Sequence, residues 1–247
     1  MTRGILIAGN ESTLSQVIAA EAAKRVEHYA SAQITSRLCE PLRSMAQGRA
    51  AGAPNAANAD TPYTQGEAPA ASGALPLQWN PGSPISARTL VLAAENRLGH
   101  INEAILVCAP PSTRRPAAEL SLSDIEIMVN DHIKGWFFLV RELSDAFRSR
   151  QSGTLALVFS EIGSGGKDDS ADLLGPAALA SFQAFTRSLL SAAHNEPYLT
   201  TGFSCSEAGA ETGFASFVFK ILDEQNKRNN GKLHKYGKLN FLMQKAN

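Results

Sequence analysis

Strand-length apolar runs alternate with helically spaced segments from one end of this 247-residue chain to the other. Few architectures accept that order. Ile5 to Ala8, bounded by Gly4 and Gly9, is apolar throughout, as a strand covered on both faces must be. Leu14, Val17, Ile18 and Ala22 then share one helical face, with Glu21, Lys24 and Arg25 on the other. Further strands are predicted at Ala32–Ser36, Leu75–Trp79, Ala104–Cys108, Leu155–Phe159, Leu199–Cys205 and Leu239–Met243. Helices are predicted at Ile85–Leu98, Ala177–Ala193 and Phe214–Gln225. A longer one starts at Ser121, where Asp124 completes a capping arrangement, and runs to about Arg150. Strands joined through helices run parallel, so the expected fold is α/β, a doubly wound parallel sheet in three α/β/α layers.

Residues 45–74 break the alternation, being rich in Ala, Gly, Pro and Asn and nearly devoid of large apolar side chains. Such a stretch buries too little surface to offset its ordering entropy, so it is expected to be a low-complexity loop. With 44% hydrophobic residues the chain can build a sizeable core, and residues 1–247 are read as a single domain. Twenty-three basic and 23 acidic residues cancel, which gives no support for nucleic acid or an anionic membrane as partner. No apolar run approaches the roughly 18 residues of a membrane span. Cys39, Cys108 and Cys205 are far apart and odd in number, which argues against a disulfide framework or a metal site. Reduced thiols in a cytoplasmic protein are expected. Gly163-Ser164-Gly165-Gly166-Lys167 lacks the spacing of a phosphate loop and reads as a flexible loop. Trp79 and Trp136 read as core or subunit-interface residues, and the basic residues around His234-Lys235 as a solvated face.

Several segments, in order, resemble the short-chain dehydrogenase/reductase family. Asn96 to Asn102 followed by Ile105-Leu106-Val107 is similar to its ERFGxIDxLVNNAG segment, and Ile133 to Phe138 to its NLxGxF helix. Gly153 to Ser160 resembles the strand that ends on the family's catalytic serine. Ala184 to Leu190 resembles the later part of the helix carrying Tyr-x-x-x-Lys, and Asn230 to Gly237 the closing TGxxxxVDGG segment. The resemblance covers nearly the whole chain and implies a Rossmann-like fold, a nicotinamide cofactor, oxidoreductase chemistry and assembly as a homodimer or homotetramer through residues 121–150 and 175–194.

It also maps the site, and the chain departs from the family there. The cofactor turn TGxxxGxG falls on Ala8 to Ser15, where Gly9 is kept but Thr13 and Ser15 replace glycines and Glu11 adds a negative charge. Gly9, Asn10, Ser12 and Thr13 are therefore the candidate phosphate-binding residues. Arg37 stands where NADP-preferring relatives hold the 2′-phosphate, or is an ordinary exposed arginine. Asn80 stands at the adenine-contacting position, or forms a turn with Pro81. Cys108 and Ala109 replace the first residues of NNAG, followed by two prolines. The family's tyrosine and lysine positions fall on Gly175 and Leu179, and no Tyr-x-x-x-Lys pair exists in the sequence. His132 stands at the asparagine position, and Ser160 or Glu161 at the serine position. No metal site is expected. Two readings follow: a divergent homologue without conventional oxidoreductase activity and with weak or absent cofactor binding, or an atypical NADP-dependent oxidoreductase on a carbonyl or alcohol, with His132 or Glu161 as acid.

Overall fold

In the computed structural model, residues 3–26, 28–34, 73–113, 115–161 and 172–237 are described. Seven parallel strands form one sheet: β1 (Ile5–Gly9), β2 (Tyr29–Ile34), β3 (Ala74–Trp79), β4 (Glu103–Cys108), β5 (Thr154–Ser160), β6 (Leu199–Cys205) and β7 (Leu233–Tyr236), in the order β3-β2-β1-β4-β5-β6-β7. β1, β4 and β5 read as continuous apolar runs because both of their faces are covered. Alternate residues serve opposite layers. Ile5, Ile7, Ile105, Val107, Ala156 and Val158 pack beneath α1 (Thr13–Ala23) and α6 (Glu211–Asp223). Leu6, Ala8, Leu106, Cys108, Leu155 and Leu157 pack beneath α2 (Pro84–Leu98), α4 (Gly135–Arg150) and α5 (Leu174–Ala192). The three layers and the doubly wound order agree with the sequence reading.

Several boundaries move. β2 begins at Tyr29 rather than Ala32, and α6 spans Glu211–Asp223 rather than 214–225. The last described strand is Leu233–Tyr236, and the strand predicted at 239–243 lies outside the described residues, as do Arg37, Cys39, Gly163–Lys167 and most of 45–74. Glu21, placed by periodicity on the wet side of α1, is buried and held by Lys24 at 2.6 Å and Arg25 at 2.7 Å. The network continues from Arg25 to Asp223 on α6 and from Asp223 through Arg3 to the buried Glu103 of β4. Paired charges can be buried where single ones cannot.

The long helix from Ser121 is the main correction. The capping box is present: the Ser121 hydroxyl accepts from the Asp124 amide, and the Asp124 carboxylate accepts from the Ser121 amide. α3 (Leu122–Val129) then passes into a π turn at Asn130–Lys134 before α4 resumes. The Gly135 amide reaches back to the Asn130 carbonyl, which inserts one residue into the helical repeat. A Cβ on Gly135 would sit 2.5 Å from Pro81 Cβ, so the bare glycine lets the turn after β3 dock here. Among the described residues no helix is long and apolar enough to cross a membrane.

Candidate functional site

The strand order reverses between β1 and β4, and the crevice outside the carboxyl ends of those strands is where a doubly wound sheet binds ligands. Gly9 closes β1 there, and Val107 pairs with it in register. A Cβ on Gly9 would meet Ser15 Oγ at 2.7 Å and the Val107 carbonyl at 3.0 Å, so only glycine fits. Asn10 Nδ2 donates to the Ala109 carbonyl at 2.5 Å and ties the ends of β1 and β4 together, leaving Asn10 Oδ1 buried without a partner. A cleft of about 350 Å³ opens beside Gly9 and Asn10, walled by Glu11, Ser15, Gln16 and Ser31.

Ser12 and Thr13 are not in that wall. Ser12 is the N-cap of α1: its hydroxyl accepts from the Ser15 amide at 3.1 Å and lies 3.0 Å from Ser15 Oγ. One of the free amides that a pyrophosphate would use is therefore capped from within the chain. The Ser15 side chain fills the space against Gly9 that a glycine would leave open. Asn80 forms a turn: its Oδ1 accepts from the Gly82 amide at 2.9 Å, and its amide donates to Ser86 Oγ at 2.8 Å. Cys108 is buried in the sheet, and that burial pushes its thiol pKa up, so it presents no thiolate.

At the reaction end, the two positions where the resemblance puts tyrosine and lysine are closed. A Cβ on Gly175 would lie 2.9 Å from Asp172 Oδ2 and 3.1 Å from the Pro111 carbonyl. Leu179 is buried in the core cluster that also holds Trp136, Phe159 and Phe182. Asp172 makes the closure. Its Oδ1 accepts from Thr113 Oγ1 at 3.1 Å and from the Gly175 amide at 3.2 Å, clamping the loop after β4 onto the start of α5. Burial alone would raise its pKa, but hydrogen bonds from Ser112, Gly175 and Thr113 hold it below the usual carboxylate value. The sequence offered one cue to this clamp: a carboxylate just before a helix is a common cap.

Ser160 ends β5 opposite Cys205, and the Glu161 amide donates to the Cys205 carbonyl at 2.8 Å. His132 lies in the π turn, 4% exposed, with Nδ1 buried and unpartnered. Burial pushes its pKa down to about 4, so the ring is neutral. Asp131, not singled out by the sequence, is also buried, and desolvation pushes its pKa up to about 6. Among the described residues there is no group of three or more metal-ligating side chains. A second cleft of about 380 Å³ lies at the opposite, amino ends of β4, β5 and β6, lined by Asn102, Arg150, Gln151, Thr154 and Lys227. It is remote from the crevice where this architecture binds ligands.

No family model matches the chain, and no curated protein does. Solved structures do. A short-chain dehydrogenase from Mycobacterium smegmatis shares 14% identity over 96% of this chain and 93% of its own, with a TM-score of 0.67. Levodione reductase shares 14% over 94% and 95%, with a TM-score of 0.65. A citronellol catabolism dehydrogenase from Pseudomonas aeruginosa PAO1 shares 16% over 94% and 92%, with a TM-score of 0.62. Three-dimensional likeness over nearly the full length, at identities this low, gives the architecture and leaves the chemistry to the residues. This chain has the fold of the short-chain dehydrogenases/reductases.

Proposed function

We propose that this protein is a divergent short-chain dehydrogenase/reductase homologue that does not carry out conventional carbonyl–alcohol oxidoreduction. The observation that carries the reading is the closure at Gly175 and Leu179. Where the family places a phenol and an ammonium one helical turn apart, this chain has a glycine wedged against Asp172 and Pro111, and a core leucine. Neither can transfer a proton or lower the pKa of a neighbour, and together they leave proton transfer without a donor. His132, a remaining candidate acid, is buried, and burial lowers its pKa to about 4, which makes it a poor proton donor near neutral pH.

The nicotinamide cofactor implied by the fold fits the residues poorly. Ser15 occupies the space against Gly9, Ser12 caps the Ser15 amide, and Glu11 lines the cleft where phosphate charge would lie. What favours residual binding is the open cleft beside Gly9 and Asn10, which gives the alternative of an atypical NADP-dependent oxidoreductase its one support. The two described cysteines are free and buried, which accords with a cytoplasmic protein.

Calorimetric titration of the full chain with NADPH and NADH separates the readings. The expected result is no saturation below millimolar cofactor, and no cofactor-dependent reduction of aldehydes or ketones above the uncatalysed rate. Micromolar binding accompanied by turnover would establish the NADP-dependent alternative instead.

A further inference from the structure

The cleft at the amino ends of β4, β5 and β6 has no part in the reading above. Its volume of about 380 Å³ lies in the range of small-molecule sites. Thr154, Leu199 and Gln225 line both this cleft and a recess of about 20 Å³, so the two adjoin. The recess is large enough for one water-sized atom. Two of the three charged side chains along the cleft are already paired. Glu103 holds Arg3 at 2.6 Å, while Arg150 holds Glu95 at 2.7 Å and donates to the Ile101 carbonyl. The third, Lys227, is exposed, and among the described residues its ammonium has no ion pair or hydrogen bond.

Lys227 opens a 3₁₀ turn, Lys227–Asn229, whose two flanking asparagines are both spent on the fold. Asn226 Oδ1 accepts from the Arg228 amide at 2.9 Å. Asn230 Oδ1 accepts from the Thr200 amide at 2.8 Å, and its Nδ2 donates to the Ala193 carbonyl at 3.1 Å. Asn229, between them, lines the recess, with Nδ2 buried and without an acceptor. A buried donor left so is costly, and it calls for a partner. Among the described residues, Gln151 (φ 56°) and Gln225 (φ 43°) are the two that hold a left-handed backbone without being glycine, and both line this cleft. Such conformations concentrate where a ligand is held. We propose that the amino-end cleft binds a small aliphatic carboxylate, with one oxygen at Asn229 Nδ2 in the recess and the other at Lys227.

The class follows from what the site lacks. Lys227 and Asn229 Nδ2 are donors only, so the missing partner is an acceptor, and the unpaired ammonium favours one that carries negative charge. A recess with room for one oxygen admits the edge of a planar carboxylate, whereas a tetrahedral anion is too bulky to enter. Pro197 and Leu199 in the same wall give an alkyl chain an apolar surface. The inference does not rest on the cofactor reading, because the cleft lies at the opposite end of the strands from Gly9.

The test is calorimetric titration of the full-length protein, without nicotinamide, with sodium hexanoate, against hexanamide as the neutral isostere and sodium sulfate at equal ionic strength. Saturable binding of hexanoate alone is expected. It should weaken at least threefold in Lys227→Gln, which removes the charge, and at least tenfold in Asn229→Asp, which turns the buried donor into an acceptor of the same shape. Lys227 is exposed, so Lys227→Gln decides the matter even where Asn229→Asp fails to fold. Three outcomes would overturn the proposal: no saturable heat with hexanoate, equal binding by hexanamide, or wild-type affinity in Lys227→Gln. Sulfate binding as tightly as hexanoate would overturn it too, since the cleft would then hold an adventitious ion only.

Discussion

At the scale of single residues, the decisive contacts are those that a larger side chain would have to displace. Gly175 faces Asp172 Oδ2 and the Pro111 carbonyl, and neither is the free end of a flexible chain, because Asp172 is held by Thr113 and by the Gly175 amide. Gly175→Tyr therefore overpacks the start of α5, and Leu179→Lys puts a charge among Trp136, Phe159 and Phe182. The double variant is expected to lose about 3 kcal/mol or more of stability and to gain no reductase activity. Urea unfolding and an NADPH-oxidation assay check both halves; recovery of turnover in a stable variant would show that the crevice was open after all. A second test isolates the clamp. Asp172→Ala removes the acceptor of Thr113 and of the Gly175 amide, and about 1–3 kcal/mol of stability is expected to go with it.

At the scale of elements, most of the fold could be read in advance. β1, β4 and β5 are largely apolar runs bracketed by glycine or polar residues, and a sheet covered on both faces demands no less. The capping box at Ser121 was equally legible, because its two hydrogen bonds are local. The π turn was not. Asn130 to Lys134 has ordinary helical composition, and the insertion sits where Pro81, more than fifty residues earlier in the chain, docks against Gly135. Asp131 and His132 escaped an assignment of burial for the same reason: an extra residue in the repeat rotates them out of the face that regular spacing gives them. Of the Asp172 clamp only the local half, a carboxylate just before a helix, could be read, because Ser112 and Thr113 come from a separate loop.

Burial of that adjacent pair has a measurable consequence. Asp131 is raised from 3.8 to about 6, so its contribution favours folding below about pH 4 and is lost as pH rises through 6. His132 is lowered from 6.5 to about 4, so its contribution is present above pH 6.5 and is lost as pH falls through 4. The two slopes oppose each other across pH 4 to 6, each limited to about 1.4 kcal/mol per pH unit. Replacing either residue unmasks the other. Relative to wild type, Asp131→Asn is expected to gain stability more steeply as pH rises through this window, and His132→Gln to lose it. Melting curves at half-unit intervals decide the matter, and parallel profiles for all three proteins would mean that neither group is shifted by burial.

At the scale of the whole molecule, the two helical layers are covered unequally. α1 and α6 pack on one another and are tied to the strand starts by the Arg3, Glu103, Asp223 and Arg25 ion pairs. On the other side Leu122 is 81% exposed and Phe137 52%, joined by Ile125, Val129 and Leu173. These side chains lie along α3, the start of α4 and the approach to α5, where Phe137 meets Phe185 with ring centroids 4.5 Å apart. Several large exposed apolar side chains on one helical layer suit an interface, and a patch repeated on an identical copy can cover itself about a two-fold axis. We expect a homodimer, or a tetramer built from it, and light scattering at micromolar concentration should return at least twice the 26.3 kDa chain mass. Leu122→Asp with Phe137→Asp is expected to give a folded monomer, since Leu122 packs little within its own chain and the Phe137 ring is half exposed. A wild-type monomer would refute the pairing. A dimer that survives both substitutions would move it to another face, with the exposed Ile85 and Leu92 of α2 the next apolar pair to test.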